Sequence, residues 1–91
     1  MRFEWDEARR RANLKRHGLD FEDGEKVFAG ESVTVLDDRF DYGEGRFLTL
    51  GLLKGKVVAI SHTEIDEVVR LISFRKASKN EEKIYFKEIR D

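Results

Sequence analysis

RLISFRKASKNEEKIYF (Arg70–Phe86) changes its periodicity half-way along, and the reading of the whole chain turns on that change. Its first six residues alternate and are rich in strand formers. From Ser78 the pattern becomes helical. Ser78 and Glu81 have the S-x-x-E spacing of a capping box, in which each side chain satisfies the other residue's backbone N–H, so a helix is predicted to begin near Lys79. Ile84, Tyr85 and Ile89 then form its apolar stripe. Counting by two along the strand puts Arg70 with Ile72 and Phe74, and Arg75 with Leu71 and Ser73. The two arginines are therefore expected on opposite faces. Arg75 lies just before a helix start, where a guanidinium and free N–H groups can meet a phosphate together. Its alternative is an ion pair with a carboxylate such as Glu44; Arg70 reads as a structural residue.

Upstream, KVVAISHT (56–63) and RFLTLGLL (46–53) are joined by Lys54-Gly55, a two-residue hairpin signal, and SVTVL (32–36) is β-branched. Four strands with short links read as an antiparallel meander, with the loop DDRFDYGEG (37–45) as its longest connection. Before the strands come two helices. Asp6 is a good N-cap for EARRRANLKRH, Gly18 can end that helix in the left-handed conformation, and Ala8 and Ala12 offer a small-residue stripe for close packing. A shorter helix follows, capped by Asp20, anchored by Phe21, Val27 and Phe28 and stopped at Gly30. The expected fold is α+β: two N-terminal helices, a four-stranded antiparallel meander and a C-terminal helix, with the helices on one face of the sheet.

Ninety-one residues make a single domain, 1–91, which buries roughly 60–65% of its unfolded surface. There is no cysteine, hence no disulfide or thiolate zinc site, and two histidines are too few for a His-rich metal site. No apolar run reaches the roughly 18 residues of a membrane span, and MRFEWDEARR lacks a signal-peptide core. A soluble, cytoplasmic protein without cofactor or metal is expected. Residues 1–18 carry six basic and three acidic groups, 19–46 three and nine, 47–91 nine and seven. Basic ends thus flank an acidic middle, which permits an anion on one face and a basic partner on another.

No phosphate-binding glycine loop, nucleophile elbow or zinc signature is present, so the chemistry rests on cations and proton carriers. Arg46 follows Glu44 and either pairs with it or faces another strand's end. His17 ends the first helix, where it can satisfy terminal carbonyls or act as a general acid. His62 alternates with Val58 and Ile60 on a largely apolar face; it is a core histidine or a proton carrier. Tyr85 belongs to the buried stripe, with a hydroxyl that needs a partner. Arg9, Arg10 and Arg11 are a solvated face or a backbone-tracking patch.

Three separated stretches, FEWDEARRRANLKRHGLDFEDGEKVF (3–28), DYGEGRFLTLG (41–51) and RLISFRKASKNEEKIY (70–85), together resemble the BrnT family of bacterial toxins. The family pattern runs F-E-W-D, an Asn, K-H-G and a Phe; then an acidic loop, G-E-x-R and a Gly; then R-I-I-S-x-R-x-A, a Glu and a Tyr. Arg16, inserted between Lys15 and His17, and Phe74, in place of a small residue, depart from it. The resemblance implies a RelE-like fold and a ribonuclease toxin of a type II toxin–antitoxin pair. Such a toxin cleaves RNA without a metal, and a DNA-binding ribbon-helix-helix antitoxin (BrnA-like) neutralises it in a higher-order complex. On this reading Arg75 and Arg46 hold the phosphate charge, His17 or His62 carries the proton, and Lys15, Arg70 and Tyr85 contact substrate. The competing reading is a non-catalytic module that binds protein or nucleic acid.

Overall fold

The computed structural model describes residues 1–37 and 45–90. Strand β1 (Arg2–Glu4) precedes helix α1 (Glu7–His17), a 3-10 turn (Phe21–Asp23) and helix α2 (Gly24–Ala29); β2 (Ser32–Leu36), β3 (Phe47–Leu53), β4 (Lys56–Ile65) and β5 (Val68–Lys76) follow, and α3 (Lys79–Arg90) ends the chain. The strands form one sheet in the order β1-β5-β4-β3-β2.

The sheet departs from the expected four-stranded antiparallel meander. The meander strands are present, but β1 adds a fifth strand, paired in parallel with β5 through Arg2–Val68, Phe3–Val69 and Glu4–Arg70. The sheet is therefore mixed, and the chain opens on a strand rather than on two helices. Three residues carry too short an alternation to announce a strand, and their partner lies more than sixty positions away.

Helices cover both faces, not one. On the first face α1, the 3-10 turn and α2 bury Phe21, Val27, Val58, Ile60, Val69, Leu71 and Phe74, with Phe3, Trp5 and Phe28 at the margin. On the other, α3 packs Tyr85 against Leu48, Leu50, Val57, Ala59 and Ala77. Ile84, expected in this stripe, is 41% exposed. α2 lies so near β3 that a Cβ on Gly51 would come 2.6 Å from Val27 Cγ1; only glycine allows that approach.

Leu71 and Phe74 are both in the first core although three residues separate them. The register accounts for this: Ser61 faces Ser73, but His62 faces Leu71, so Ile72 is an extra residue on β5. This β-bulge inverts the alternation beyond it. Arg70, Ser73 and Arg75 consequently lie on one face, the α3 face, and the opposite-face expectation for the two arginines is overturned.

The helix ends follow their sequence signals. Asp6 accepts from Ala8 N–H, Gly18 closes α1 at φ +72°, and Ser78 and Glu81 form both bonds of the capping box, at 2.9 and 3.1 Å. Ala8 and Ala12, by contrast, are exposed. The residue that docks α1 is Asn13. Its amide accepts from Phe74 N–H at 3.0 Å and donates to Phe74 C=O at 2.8 Å, so it takes the place of a strand along β5 where β1 has ended. A second donation reaches the Leu19 carbonyl.

Candidate functional site

α3 packs against β2, β3 and β4, and its first turn reaches Arg75. Beyond that turn, towards the β4–β5 hairpin, no described helix covers the α3 face. Strand register then fixes which side chains stand side by side. Thr63 is opposite Arg70, and Arg70 is opposite Glu4. Phe47 faces His62, so the preceding residue, Arg46, alternates onto the α3 face beside Thr63. The Asp37 N–H donates to the Arg46 carbonyl at 2.8 Å, which extends the ladder one step further. Asp37, Arg46, Thr63, Arg70 and Glu4 thus form a row across all five strands. Arg46 and Arg70 are two strand steps apart, about 10 Å between backbones, within the span that two guanidinium arms can close.

On the outer half of this row Glu4, Thr63, Ile65, Asp66, Val68 and Arg70 line a depression of about 230 Å³. Arg70 Nη1 donates to Glu4 Oε2 at 2.6 Å, and both side chains are about half exposed. That contact uses one of five guanidinium donors, so the fork can still accept an anion. The depression offers a cation, a hydroxyl and a carboxylate within one concave surface.

Arg75 stands four β4 residues further along, about 13 Å from the row at 3.3 Å per residue. It is bound more tightly than Arg70. Both terminal nitrogens meet Glu81, at 2.8 and 3.0 Å, and Nη1 also donates to the Lys76 carbonyl at 3.3 Å. Hydrogen bonding from Arg75 is the main reason the Glu81 carboxyl falls to about 2, with the Ser78 N–H assisting. Arg75 and Glu81 therefore weld the end of β5 to the cap of α3. Pairing of Glu44 with Arg46 or Arg75, and most of the 37–45 loop, lie outside the described residues.

The remaining predicted positions are dispersed. His62 is fully buried, with Nε2 2.7 Å from Thr49 Oγ1, which in turn meets Thr34 Oγ1 at 2.7 Å. Phe47 stacks on its ring and Phe28 packs edge-on. Glu64 is 3.6 Å from Nδ1, outside hydrogen-bonding reach. Burial pushes the imidazole down to about 4, so it is neutral at pH 7. Tyr85 is also fully buried, and its hydroxyl donates to the Glu31 carbonyl at 2.9 Å; burial, then the nearby Glu31 charge, raises its pKa. His17 and Lys15 are exposed at the end of α1. His17 lies one helical turn beyond Asn13.

Of the three consecutive arginines, Arg10 is structural. It clasps Asp20 through two nitrogens, at 2.8 and 3.0 Å, and also meets Glu7 and Glu22, so its pKa rises and that of Asp20 falls. Arg9 and Arg11 are exposed. Among the described residues no cluster of three or more His, Asp or Glu is placed to hold a metal, and no helix is long and apolar enough to cross a membrane.

Sequence reading missed Glu4 and Thr63, and no local pattern points to either. Both are marked only by their register with Arg70, which needs the parallel β1–β5 pair and the bulge.

The family model for the ribonuclease toxin BrnT of type II toxin–antitoxin systems matches residues 5–81. The chain belongs to the BrnT family. No curated protein gives a significant match. As a BrnT-family protein it is a ribonuclease toxin, with RNA as its target and an antitoxin as its partner. The matched span holds α1, the whole meander and the Arg75–Glu81 junction, and leaves out β1 and most of α3.

Proposed function

We propose that this toxin cleaves RNA without a metal, at the depression bounded by Glu4, Thr63 and Arg70. The observation that carries the reading is the row itself: two arginines flank a hydroxyl, and a carboxylate sits on the outer arginine. Metal-free cleavage requires removal of the 2′-hydroxyl proton, stabilisation of the charge on the pentacoordinate phosphate, and protonation of the leaving 5′ oxygen. Arg46 and Arg70 hold the phosphate charge by charge-assisted hydrogen bonds. Glu4 takes the 2′ proton as the phosphate draws Arg70 away from it, and the leaving oxygen is protonated from water. Bond making and breaking balance: the 2′ oxygen displaces the 5′ oxygen on phosphorus, leaving a cyclic phosphate and a 5′-hydroxyl.

In this reading Arg75 holds the architecture of the site rather than the reacting phosphate, because its fork is filled by Glu81. His17 and Lys15, exposed on α1, take no part in the cleavage step, while His62 and Tyr85 serve the core. The partner is a ribbon-helix-helix, DNA-binding antitoxin that forms a higher-order complex with the toxin in the cytoplasm.

The test is cleavage of purified single-stranded RNA in EDTA, with end-group analysis of the products. The reading expects cyclic-phosphate and 5′-hydroxyl ends at an undiminished rate. Cleavage that stops in EDTA and returns with Mg²⁺ overturns the metal-free mechanism. Binding without cleavage favours the non-catalytic module.

A further inference from the structure

The outer surface of α3 has a charge pattern that helix stability explains only in part: Lys87 and Arg90 suit the last turn, whereas Lys79 and Lys83 do not. Lys79, Lys83 and Lys87 recur every fourth residue, so they stack along one side of the helix, and Arg90 completes the column. Together with Glu82 and Phe86 they line a shallow depression of about 710 Å³ on the side opposite Tyr85. All four cations are exposed, and among the described residues none has an ion-pair partner. By contrast Arg10, Lys26, Arg70 and Arg75 each meet a carboxylate. A solvated helix built for stability places Glu four residues before Lys. This one repeats Lys at that spacing, which destabilises the helix, and sets Lys79 against the positive end of its dipole.

Phe86 lies within the same column. It is 45% exposed, although the ring beside it, Tyr85, is fully buried. The two rings meet edge-to-face with centroids 5.3 Å apart, so a buried partner supports Phe86 while one side of its ring faces solvent. A column of unpaired cations with a supported, exposed aromatic ring is the combination that grips single-stranded nucleic acid: cations track the phosphates and the ring stacks a base.

We propose that the outer face of α3 is a second RNA-binding surface, separate from the cleavage depression. It takes a single-stranded tract with its phosphates along Lys79, Lys83, Lys87 and Arg90 and one base on Phe86. The inference rests on the reading of the α3 face of the sheet as the cleavage site. α3 starts beside Arg75, so a strand leaving the depression along β5 meets Lys79 first. The surface acts on substrate affinity, not on the chemical step.

The experiment measures binding of a labelled single-stranded RNA by anisotropy over a salt series, and cleavage kinetics in parallel. The proteins are the intact chain, the double variant Lys83→Ala/Lys87→Ala, and Phe86→Ala. The lysines make no contact that their loss would break. Loss of two phosphate contacts should flatten the log Kd–log salt slope by about 1.4, at about 0.7 per contact on a single strand. KM should rise with kcat unchanged. Phe86→Ala should weaken normal RNA roughly tenfold but leave an abasic oligonucleotide unaffected. Slopes and affinities equal to those of the intact chain overturn the inference and leave the cleavage reading standing. So does equal loss of polyglutamate binding with RNA binding unchanged, which would assign the column to an acidic peptide. An intact chain that neither binds nor cleaves RNA overturns both readings.

Discussion

Acidification from pH 7 to pH 5 should destabilise the protein through one residue, His62. Folded, its imidazole titrates at about 4 because it is buried among Phe28, Phe47 and Thr49; unfolded, it titrates near 6.5. Between those values the unfolded chain binds the proton and the folded chain does not, so stability falls as pH falls through this window. Linkage between the two pKa values gives a loss of about 2 kcal/mol at pH 5 and about 3 kcal/mol at pH 4. That is a large share of the 5–15 kcal/mol typical of a domain. Glu81 contributes in a lower window. Its depressed pKa stabilises the fold above about 4.5, and that contribution drains away as pH falls towards 2. The assay is urea unfolding at pH 7, 6 and 5 for the parent and for His62→Gln, which removes the titration but keeps a hydrogen-bonding group for Thr49. Gln should cost about 1–2 kcal/mol at pH 7, and the difference should vanish or reverse by pH 5. A constant difference across the series would refute the assignment of His62 as a buried, neutral core residue.

Three further outcomes follow from particular contacts. Asn13→Ala leaves both the N–H and the carbonyl of Phe74 without the partner that closes the edge of β5, and should cost about 2–4 kcal/mol in urea unfolding. Gly51→Ala should lose about 1–3 kcal/mol by forcing a Cβ against Val27, and Val27→Ala in the same chain should recover part of it. Glu81→Gln keeps the capping geometry but removes the charge that Arg75 holds, so it should lower stability at pH 7, with the difference shrinking below about pH 4.5 and small only near pH 2, where the parent's own carboxyl becomes protonated.

Elements with local signals were legible in the sequence. The two caps of α1, the Lys54-Gly55 hairpin and the Ser78–Glu81 box depend on residues within a few positions of one another, and the structure places each as read. β1 was not legible because three residues give no usable period and their partner is remote in sequence. The bulge left a faint trace. Val69 and Leu71 have one parity and Phe74 the other, yet all three are large and apolar and belong to one core. A strand cannot bury that set without slipping a residue, and Ile72 is where it slips. The expected contrast between Arg70 and Arg75 rested on strict alternation, so the bulge removed it. What distinguishes the two arginines is not their face but their partners: Glu81 takes two nitrogens of Arg75, whereas Glu4 takes one of Arg70. For the same reason Arg46, Thr63, Arg70 and Glu4 were invisible as a group, since register rather than spacing unites them.

In the proposed mechanism RNA is cleaved at the Arg46–Thr63–Arg70 row, and Arg75 supports that row structurally. The most direct test compares Arg70→Ala with Arg75→Ala for single-turnover RNA cleavage in EDTA and for melting temperature. Arg70 makes only an exposed pair with Glu4, so its loss should leave melting almost unchanged and slow cleavage about 100-fold, the scale of one transition-state donor. Arg75→Ala should lower the melting temperature by several degrees through the freed Glu81. An Arg70→Ala protein that melts and cleaves like the parent would contradict the claim.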